Sequence, residues 1–128
     1  MSGDAPDGRR PDGGRSIRSF VVRAGRMTAA QQKALEEHGP RLGVPYEARP
    51  LDLDTLYGRQ APRVIEIGFG NGAHLAALAA ARPESDFLGI EVHPPGVGHL
   101  LQLAAAQGLT NVRVCNHDAV EVLSLIHI

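Results

Sequence analysis

From Arg63 onward, short runs of β-branched residues alternate with longer runs rich in alanine and leucine. The β-branched runs predict three strands, at residues 63–67, 86–91 and 111–115. The runs between them predict two helices, one over residues 73–81 and one that opens at Pro94-Pro95 and closes at Gly108. Strands that alternate with helices indicate right-handed βαβ units, so we expect an α/β fold with a parallel sheet.

A further helix is predicted upstream of the first strand, over residues 29–38. Thr28 is a favoured N-cap, and Gln31 lies at the position that completes a capping box. The Gly-Pro pair directly after residue 38 is predicted to end this helix. Residues 43–62 contain three prolines and are predicted to form a connector with one turn in its middle.

Composition limits the function classes. The 128 residues carry a net charge of −1 and a single cysteine, Cys115, so neither an internal disulfide nor a thiolate metal cage can form, and a reducing compartment is favoured. The chain lacks the run of about 20 apolar residues that a membrane span needs. The six histidines lack the spacing of metal motifs, and we expect no metal site. These features predict a cytoplasmic protein with no membrane partner.

The charge is divided unevenly along the chain. Residues 1–60 hold 10 basic and 8 acidic residues, whereas residues 61–128 hold 3 and 6. Seven of the basic residues fall within residues 9–33, beside one aspartate. Such a stretch is typical of an arm that contacts RNA phosphates, and equally of a solvated tail.

A glycine-rich turn lies between the first strand and the helix that follows it, with glycines at 68, 70 and 72. Glycines there allow the backbone to approach a ligand at a helix N-terminus, although a plain strand-to-helix turn has the same pattern. Glu91 ends the second strand about 20 residues further on, where an acid can accept the hydroxyls of a ribose.

Two cofactor classes fit this turn. Gly68, Gly70 and Ala73 satisfy the G-x-G-x-x-G/A pattern of nicotinamide enzymes, so an NAD-dependent oxidoreductase is one hypothesis. Glu66 adds a carboxylate at the carboxyl end of the first strand, which would repel a pyrophosphate and attract the ammonium of S-adenosylmethionine. The charge therefore favours the methyl donor.

A third acid, Asp118, follows the third strand. Because the carboxyl ends of parallel strands face one crevice, we expect Glu66, Glu91 and Asp118 to line one pocket, with Asp118 accepting from an adenine amino group. The alternative is that Asp118 caps a helix that begins at Ala119. The two interpretations are compatible.

Four segments between Arg18 and Val122 together resemble the bacterial tRNA (guanine-N7-)-methyltransferases, which are class I enzymes that use S-adenosylmethionine. The segments are RSFVVRAGRMT at 18–28 with Gln31, EIGFGNG at 66–72, GIEVH at 89–93 with PGVG at 95–98, and GLTN at 108–111 with Asp118-Ala119. The first and third segments are narrower signals than the glycine turn, which many methyltransferases share.

The resemblance implies a Rossmann-like class I methyltransferase fold, here truncated after about the third strand. It implies S-adenosylmethionine as cofactor, tRNA as partner, and methyl transfer to N7 of a guanine in the variable loop. The cofactor-contacting residues that it implies are Glu66, Gly68, Gly70, Glu91 and Asp118. It assigns no catalytic residue here, because the family's later Pro-Asp-Pro-Trp segment is not in this sequence.

With this resemblance, the chain divides into three parts: a disordered basic tail at residues 1–18, an arm, helix and connector at 19–62, and the N-terminal half of a cofactor-binding domain at 63–128. Arg18, Arg23 and Arg26 are candidate contacts to tRNA. A non-catalytic RNA-binding protein that uses the arm is a third hypothesis, and the sequence leaves monomer and homodimer open.

Residues 123–128, LSLIHI, depart from the family pattern and resemble translated sequencing adapter, so we expect an artefactual end to the reading frame. Three strands alone are expected to leave an open sheet edge and an uncovered apolar face. We therefore expect weak or absent catalysis from these 128 residues.

Overall fold

The structure of the protein is a computed structural model that describes residues 26–126. The expected tail at residues 1–18 lies outside this range, as do Arg18, Arg23 and the last two residues of the chain. The helices and strands of the described part are α1 (Ala29–Leu42), α2 (Leu53–Tyr57), β1 (Arg63–Ile67), α3 (Ala73–Ala81), β2 (Asp86–Ile90), α4 (Pro94–Gln107), β3 (Val112–Cys115) and α5 (Ala119–Leu123). The predicted α/β class is confirmed.

The three strands form one parallel sheet in the order β1-β2-β3. β1 has the predicted bounds, and β2 and β3 are each one residue shorter than predicted. In the register of the sheet, Ile67 pairs with Ile90, which in turn pairs with Cys115. The carboxyl ends of the strands therefore lie side by side at one edge of the sheet.

Helix α1 begins with the predicted capping box. The Thr28 hydroxyl accepts from the Gln31 N–H at 3.1 Å, and the Gln31 side chain accepts from the Thr28 N–H at 3.0 Å. The predicted end of the helix after residue 38 is wrong, because α1 continues through Pro40 to Leu42. Leu42 is 1% exposed, and burying a leucine contributes about 1.5–3 kcal/mol. This gain offsets the hydrogen bond that Pro40 removes.

One face of the sheet packs against α1, α3 and α4. Its buried core joins all three helices to the sheet, through residues that include Leu35, Leu75, Phe87, Leu100, Leu101 and Val112. Helices α1 and α4 approach closely at Gly98, where an added Cβ would lie only 2.7 Å from the Cβ of Gln31. The capped start of α1 is thus fixed against the first half of α4.

The connector and α5 cover the opposite face of the sheet. The backbone N–H of Val44 donates to the Val114 carbonyl at 2.8 Å, and that of Leu51 donates to the Leu125 carbonyl at 2.9 Å. The buried residues of this second core are Val44, Leu88, Ile90, Cys115, Val122 and Ile126. The expected uncovered face is therefore wrong for β2 and β3, because the connector folds back over them. Among residues 26–126, no strand pairs with the outer edge of β1.

Buried polar side chains fix the amino ends of the strands, opposite the carboxyl ends. Asp86 is 1% exposed and accepts from Arg59 at 2.7 and 3.0 Å and from Arg63 at 3.2 Å. The side-chain amide of Asn111 lies within 3.1 Å of three carbonyl oxygens, those of Ala79, Arg82 and Ser85. These contacts hold the turn between α3 and β2. The candidate site lies at the carboxyl ends of the strands.

Candidate functional site

Residues 68–72, which we call the glycine turn, leave the end of β1 and lead into α3. The turn remains anchored to the sheet because the Gly68 N–H donates to the Ile90 carbonyl at 2.7 Å. Gly70 and Gly72 have φ values of +67° and +83°, in the left-handed region that favours glycine. The sequence pattern thus corresponds to a backbone that other residues would strain.

The N-terminal half of α4 packs directly on the glycine turn. A Cβ built on Gly96 would lie 2.0 Å from the Gly70 carbonyl oxygen, and one built on Gly72 would lie 2.7 Å from the Leu100 Cβ. Real side chains do not approach so closely. The shape of the turn therefore depends on the absence of a side chain at Gly96, a residue that the sequence analysis placed within a motif without assigning it a role.

Glu91 follows β2 and binds the glycine turn. One carboxylate oxygen accepts from the Gly70 N–H at 2.8 Å, and the other accepts from the His93 N–H at 3.1 Å. Each oxygen has a further lone pair for a ligand hydroxyl. The carboxylate thus joins the end of β2, the turn and the start of α4, while its contact with a ribose remains a prediction.

Glu66 lies in β1, opposite Gly89 of β2. It is partly buried, and among residues 26–126 its carboxylate has no hydrogen-bond partner within the protein. Gly89 provides no side chain of its own, and Phe69 and Leu75 lie over it, within 2.6 Å of an added Cβ. Glu66 therefore offers a carboxylate beside the base of the glycine turn.

Asp118 is exposed and is the N-cap of α5, where its Oδ2 accepts from the Glu121 N–H at 3.1 Å. The capping interpretation is confirmed, and contact with an adenine stays a prediction. Two neighbouring contacts fix this loop against the crevice edge: the Glu91 N–H donates to the Cys115 carbonyl at 3.0 Å, and the Asn116 amide donates to the Glu91 carbonyl at 2.7 Å.

Sequence reasoning missed an aromatic pair beside Asp118. The rings of Tyr46, from the connector, and His117 stack with centroids 3.9 Å apart and planes inclined by 6°. The His117 Nε2 also lies 2.6 Å from a carboxylate oxygen of Glu121. No local signal marks this pair, because 71 positions separate its members and only the folded connector brings them together.

A cavity of about 70 Å³ lies under the connector rather than at the glycine turn. Its lining includes Pro45, Leu51, Cys115 and Val122. Burial raises the pKa of the Cys115 thiol to about 12, so the sulfur stays protonated at neutral pH. This cysteine is therefore a core residue, as expected, rather than a nucleophile.

Within residues 26–126, no three His, Cys, Asp or Glu side chains are grouped as a metal ion would require. No helix in that same range has both the length and the apolar character to cross a bilayer.

Known proteins resemble the chain along most of its length. A protein from Burkholderia cenocepacia named tRNA (guanine-N(7)-)-methyltransferase is 60% identical over 109 residues, which are 85% of this chain and 43% of the relative. Proteins of the same name from Burkholderia vietnamiensis and Aromatoleum aromaticum are 57% and 60% identical over 94% and 85% of this chain, and 47% and 42% of the relatives. The chain thus spans somewhat less than half the length of these curated relatives.

A family model described as "Putative methyltransferase" matches residues 60–127, from the end of the connector through all three strands. The matched range contains the glycine turn, Glu66, Glu91 and Asp118. The resemblance seen in the four sequence segments is confirmed, and the parallel sheet agrees with the Rossmann-like fold that it implied. Because the match covers more than half of its residues, the chain belongs to this methyltransferase family.

Proposed function

We propose that the chain is the cofactor-binding part of a tRNA (guanine-N7-)-methyltransferase and that S-adenosylmethionine binds at its glycine turn. The observation that carries the proposal is the contact between Glu91 and the Gly70 N–H, which joins the candidate ribose acceptor to a turn of left-handed glycines. The names of the relatives supply the substrate, tRNA, and the reacting atom, guanine N7. Modification of tRNA also favours a cytoplasmic location.

The residues around the turn fit the chemistry of this cofactor. Glu91 retains lone pairs for two ribose hydroxyls, and Asp118 retains one carboxylate oxygen, Oδ1, beside its cap. Glu66 provides a carboxylate that is unpaired among the described residues and can attract the ammonium of the cofactor. When bound, S-adenosylmethionine supplies a methyl group on a positively charged sulfur.

The Glu66 carboxylate argues against a dinucleotide. A pyrophosphate in the glycine turn would lie beside Glu66, and among residues 26–126 this carboxylate is not paired with a lysine or arginine. Like charges at close range disfavour binding in a partly buried site. We therefore expect S-adenosylmethionine or S-adenosylhomocysteine to bind in preference to NAD.

Methylation at guanine N7 places the new bond on an exposed lone pair, and no proton must leave the base. The protein has then to hold donor and acceptor in line rather than supply a general base. The described residues provide one side of that alignment, the cofactor side. Since the Pro-Asp-Pro-Trp segment implied by the resemblance is not among the 128 residues, we expect them to bind cofactor and to transfer little methyl.

Binding of S-adenosylhomocysteine and NAD to the 128-residue chain, measured by titration calorimetry, tests the cofactor assignment. Glu66→Gln removes the charge offered to the ammonium and should weaken S-adenosylhomocysteine by about tenfold, since a hydrogen bond to a charged group is worth about 1.5–3 kcal/mol. Glu84→Gln, an exposed change before β2, is the matched control and should leave affinity unchanged. Tight binding of NAD alone would overturn the assignment.

The substrate assignment needs a longer protein. A reading frame that continues through the Pro-Asp-Pro-Trp segment should methylate tRNA at guanine N7, detectable by mass spectrometry of nucleosides. Arg26 is exposed just before the α1 cap, and its proposed role with Arg18 and Arg23 predicts salt-dependent binding of tRNA. Binding of tRNA without methylation by that longer protein would favour the non-catalytic RNA-binding hypothesis instead.

A further inference from the structure

Helix α4 holds the glycine turn at a residue that no motif marks. The Nδ1 atom of His99 lies 2.6 Å from the carbonyl oxygen of Asn71, in the middle of the turn. The next residue of the helix, Leu100, packs against Gly72, where an added Cβ would lie 2.7 Å from the Leu100 Cβ. Successive residues of α4 therefore contact successive residues of the turn.

The chemistry of this contact fixes the state of the imidazole. A carbonyl oxygen only accepts, so Nδ1 of His99 must carry the hydrogen. The neutral ring is then the Nδ1–H tautomer, and the hydrogen bond persists when the ring is protonated because Nδ1 donates in both forms. The side chain of Asn71 accepts from the Ala73 N–H at 2.9 Å. Asn71 is thus held through its carbonyl by α4 and through its side chain by α3.

The turn needs such restraint because of its composition. Asn71 lies between two glycines with positive φ, and glycine loses more conformational freedom on ordering than any other residue. Glu91 restrains the Gly70 N–H from one side, and His99 restrains the Asn71 carbonyl from the other. A ligand that meets an ordered turn does not have to order it, and so binds more tightly.

We propose that His99 is a positioning residue for the cofactor site, which donates from Nδ1 to the Asn71 carbonyl and thereby fixes the backbone of the glycine turn. The inference rests on the proposed function, because it takes residues 68–72 as the backbone that meets the cofactor. His99 itself acts only through Asn71.

Two substitutions separate the donor from the bulk of the ring. His99→Leu removes the donor, and His99→Asn retains an N–H close to the position of Nδ1. S-adenosylhomocysteine should bind the 128-residue His99→Leu chain about three- to tenfold more weakly, the effect of losing one exposed hydrogen bond that orders the turn. His99→Asn should recover most of that loss. Gln102→Leu, a partly buried polar position later on α4, is the matched control and should bind as the original chain does.

Two further measurements address position rather than stability. Nitrogen chemical shifts should identify the Nδ1–H tautomer of His99 in the free protein. Amide hydrogen exchange should quicken in His99→Leu at residues 70–73 and remain unchanged in the strands, whereas a general loss of stability would raise exchange throughout.

The outcomes distinguish this inference from the proposed function. If the original chain does not bind S-adenosylhomocysteine, the proposed function fails, and the tautomer still reports whether the contact exists. If the original chain binds and His99→Leu binds equally well, the positioning inference alone is overturned. Equal losses in the leucine and asparagine variants would also overturn it, because the ring's shape and not its donor would then matter.

Discussion

Gly96→Ala tests whether the packing of α4 shapes the cofactor site. The new Cβ would lie 2.0 Å from the Gly70 carbonyl oxygen and 3.0 Å from its carbonyl carbon, where ordinary contacts are 3.4–4 Å. Both opposing atoms are backbone, so neither can rotate away. The glycine turn or the start of α4 must move by more than 1 Å, and a movement of the turn would lengthen the hydrogen bond from Gly70 to Glu91.

The expected cost follows from two opposing effects. Overpacking against backbone costs about 3 kcal/mol, at the upper end of the usual range, and alanine gains about 1 kcal/mol over glycine inside a helix. The net loss of about 2 kcal/mol corresponds to a fall of roughly 8 °C in Tm for a chain of this size. Affinity for S-adenosylhomocysteine should fall by about tenfold or more, because the Gly70 N–H loses its fixed place.

Calorimetric titration and thermal unfolding, run on the same samples, test both numbers. Gly98→Ala is the matched control on the same helix, since its Cβ would meet Gln31 of α1 at 2.7 Å rather than the glycine turn. It should lower Tm and leave the affinity of the folded protein unchanged. The reasoning is refuted if Gly96→Ala keeps both the original Tm and the original affinity, or if Gly98→Ala loses affinity equally.

Two further outcomes are expected. Asp86→Ala leaves Arg59 and Arg63 without their buried carboxylate and should lower the free energy of unfolding, measured in urea, by about 3 kcal/mol. This is the low end for a broken buried pair, because Arg59 is 40% exposed. A change no larger than that of Glu84→Gln would contradict the prediction. The Cys115 thiol, whose pKa is raised from 9.0 to about 12 in the folded protein, contributes stability that is complete below pH 9 and is lost as the pH rises toward 12. The free energy of unfolding, measured in urea, should therefore fall more steeply between pH about 8 and about 11 for the original chain than for Cys115→Ala. Parallel declines would exclude the thiol as the cause.

Local signals were sufficient for most of the fold. Three kinds of signal act within a few residues: the strand runs, the proline pair at the start of α4 and the glycine after its end. The strands of the structure lie within one residue of their predicted bounds. The end of α1 was missed because burial decides it. Leu42 is 1% exposed, and a propensity argument that stops at Pro40 does not include the core that Leu42 enters.

The candidate site was predicted in part for the same reason. Its acids were found because each lies near or after the carboxyl end of a strand, and parallel strands bring these ends together. Contacts across long separations gave no signal: His99 meets Asn71 from 28 positions away, and Tyr46 meets His117 only after the connector has folded back. Gly96 belonged to a recognised motif, but its role depends on packing. Only the packed structure reveals that a Cβ added at Gly96 would lie 2.0 Å from the Gly70 carbonyl oxygen.

The covering of the second sheet face has a consequence for synthesis of the protein. Every residue of the connector leaves the ribosome before β1 does. The segment that shields Leu88 and Ile90 therefore already exists when β2 emerges. Domains generally fold from the N-terminus during translation. The backbone hydrogen bonds of the connector go to Val114 of β3 and to Leu125, so the connector closes this face once residues 112–126 have emerged. Because the connector is already made by then, the apolar face is open to other nascent proteins only until residues 119–126 follow β3.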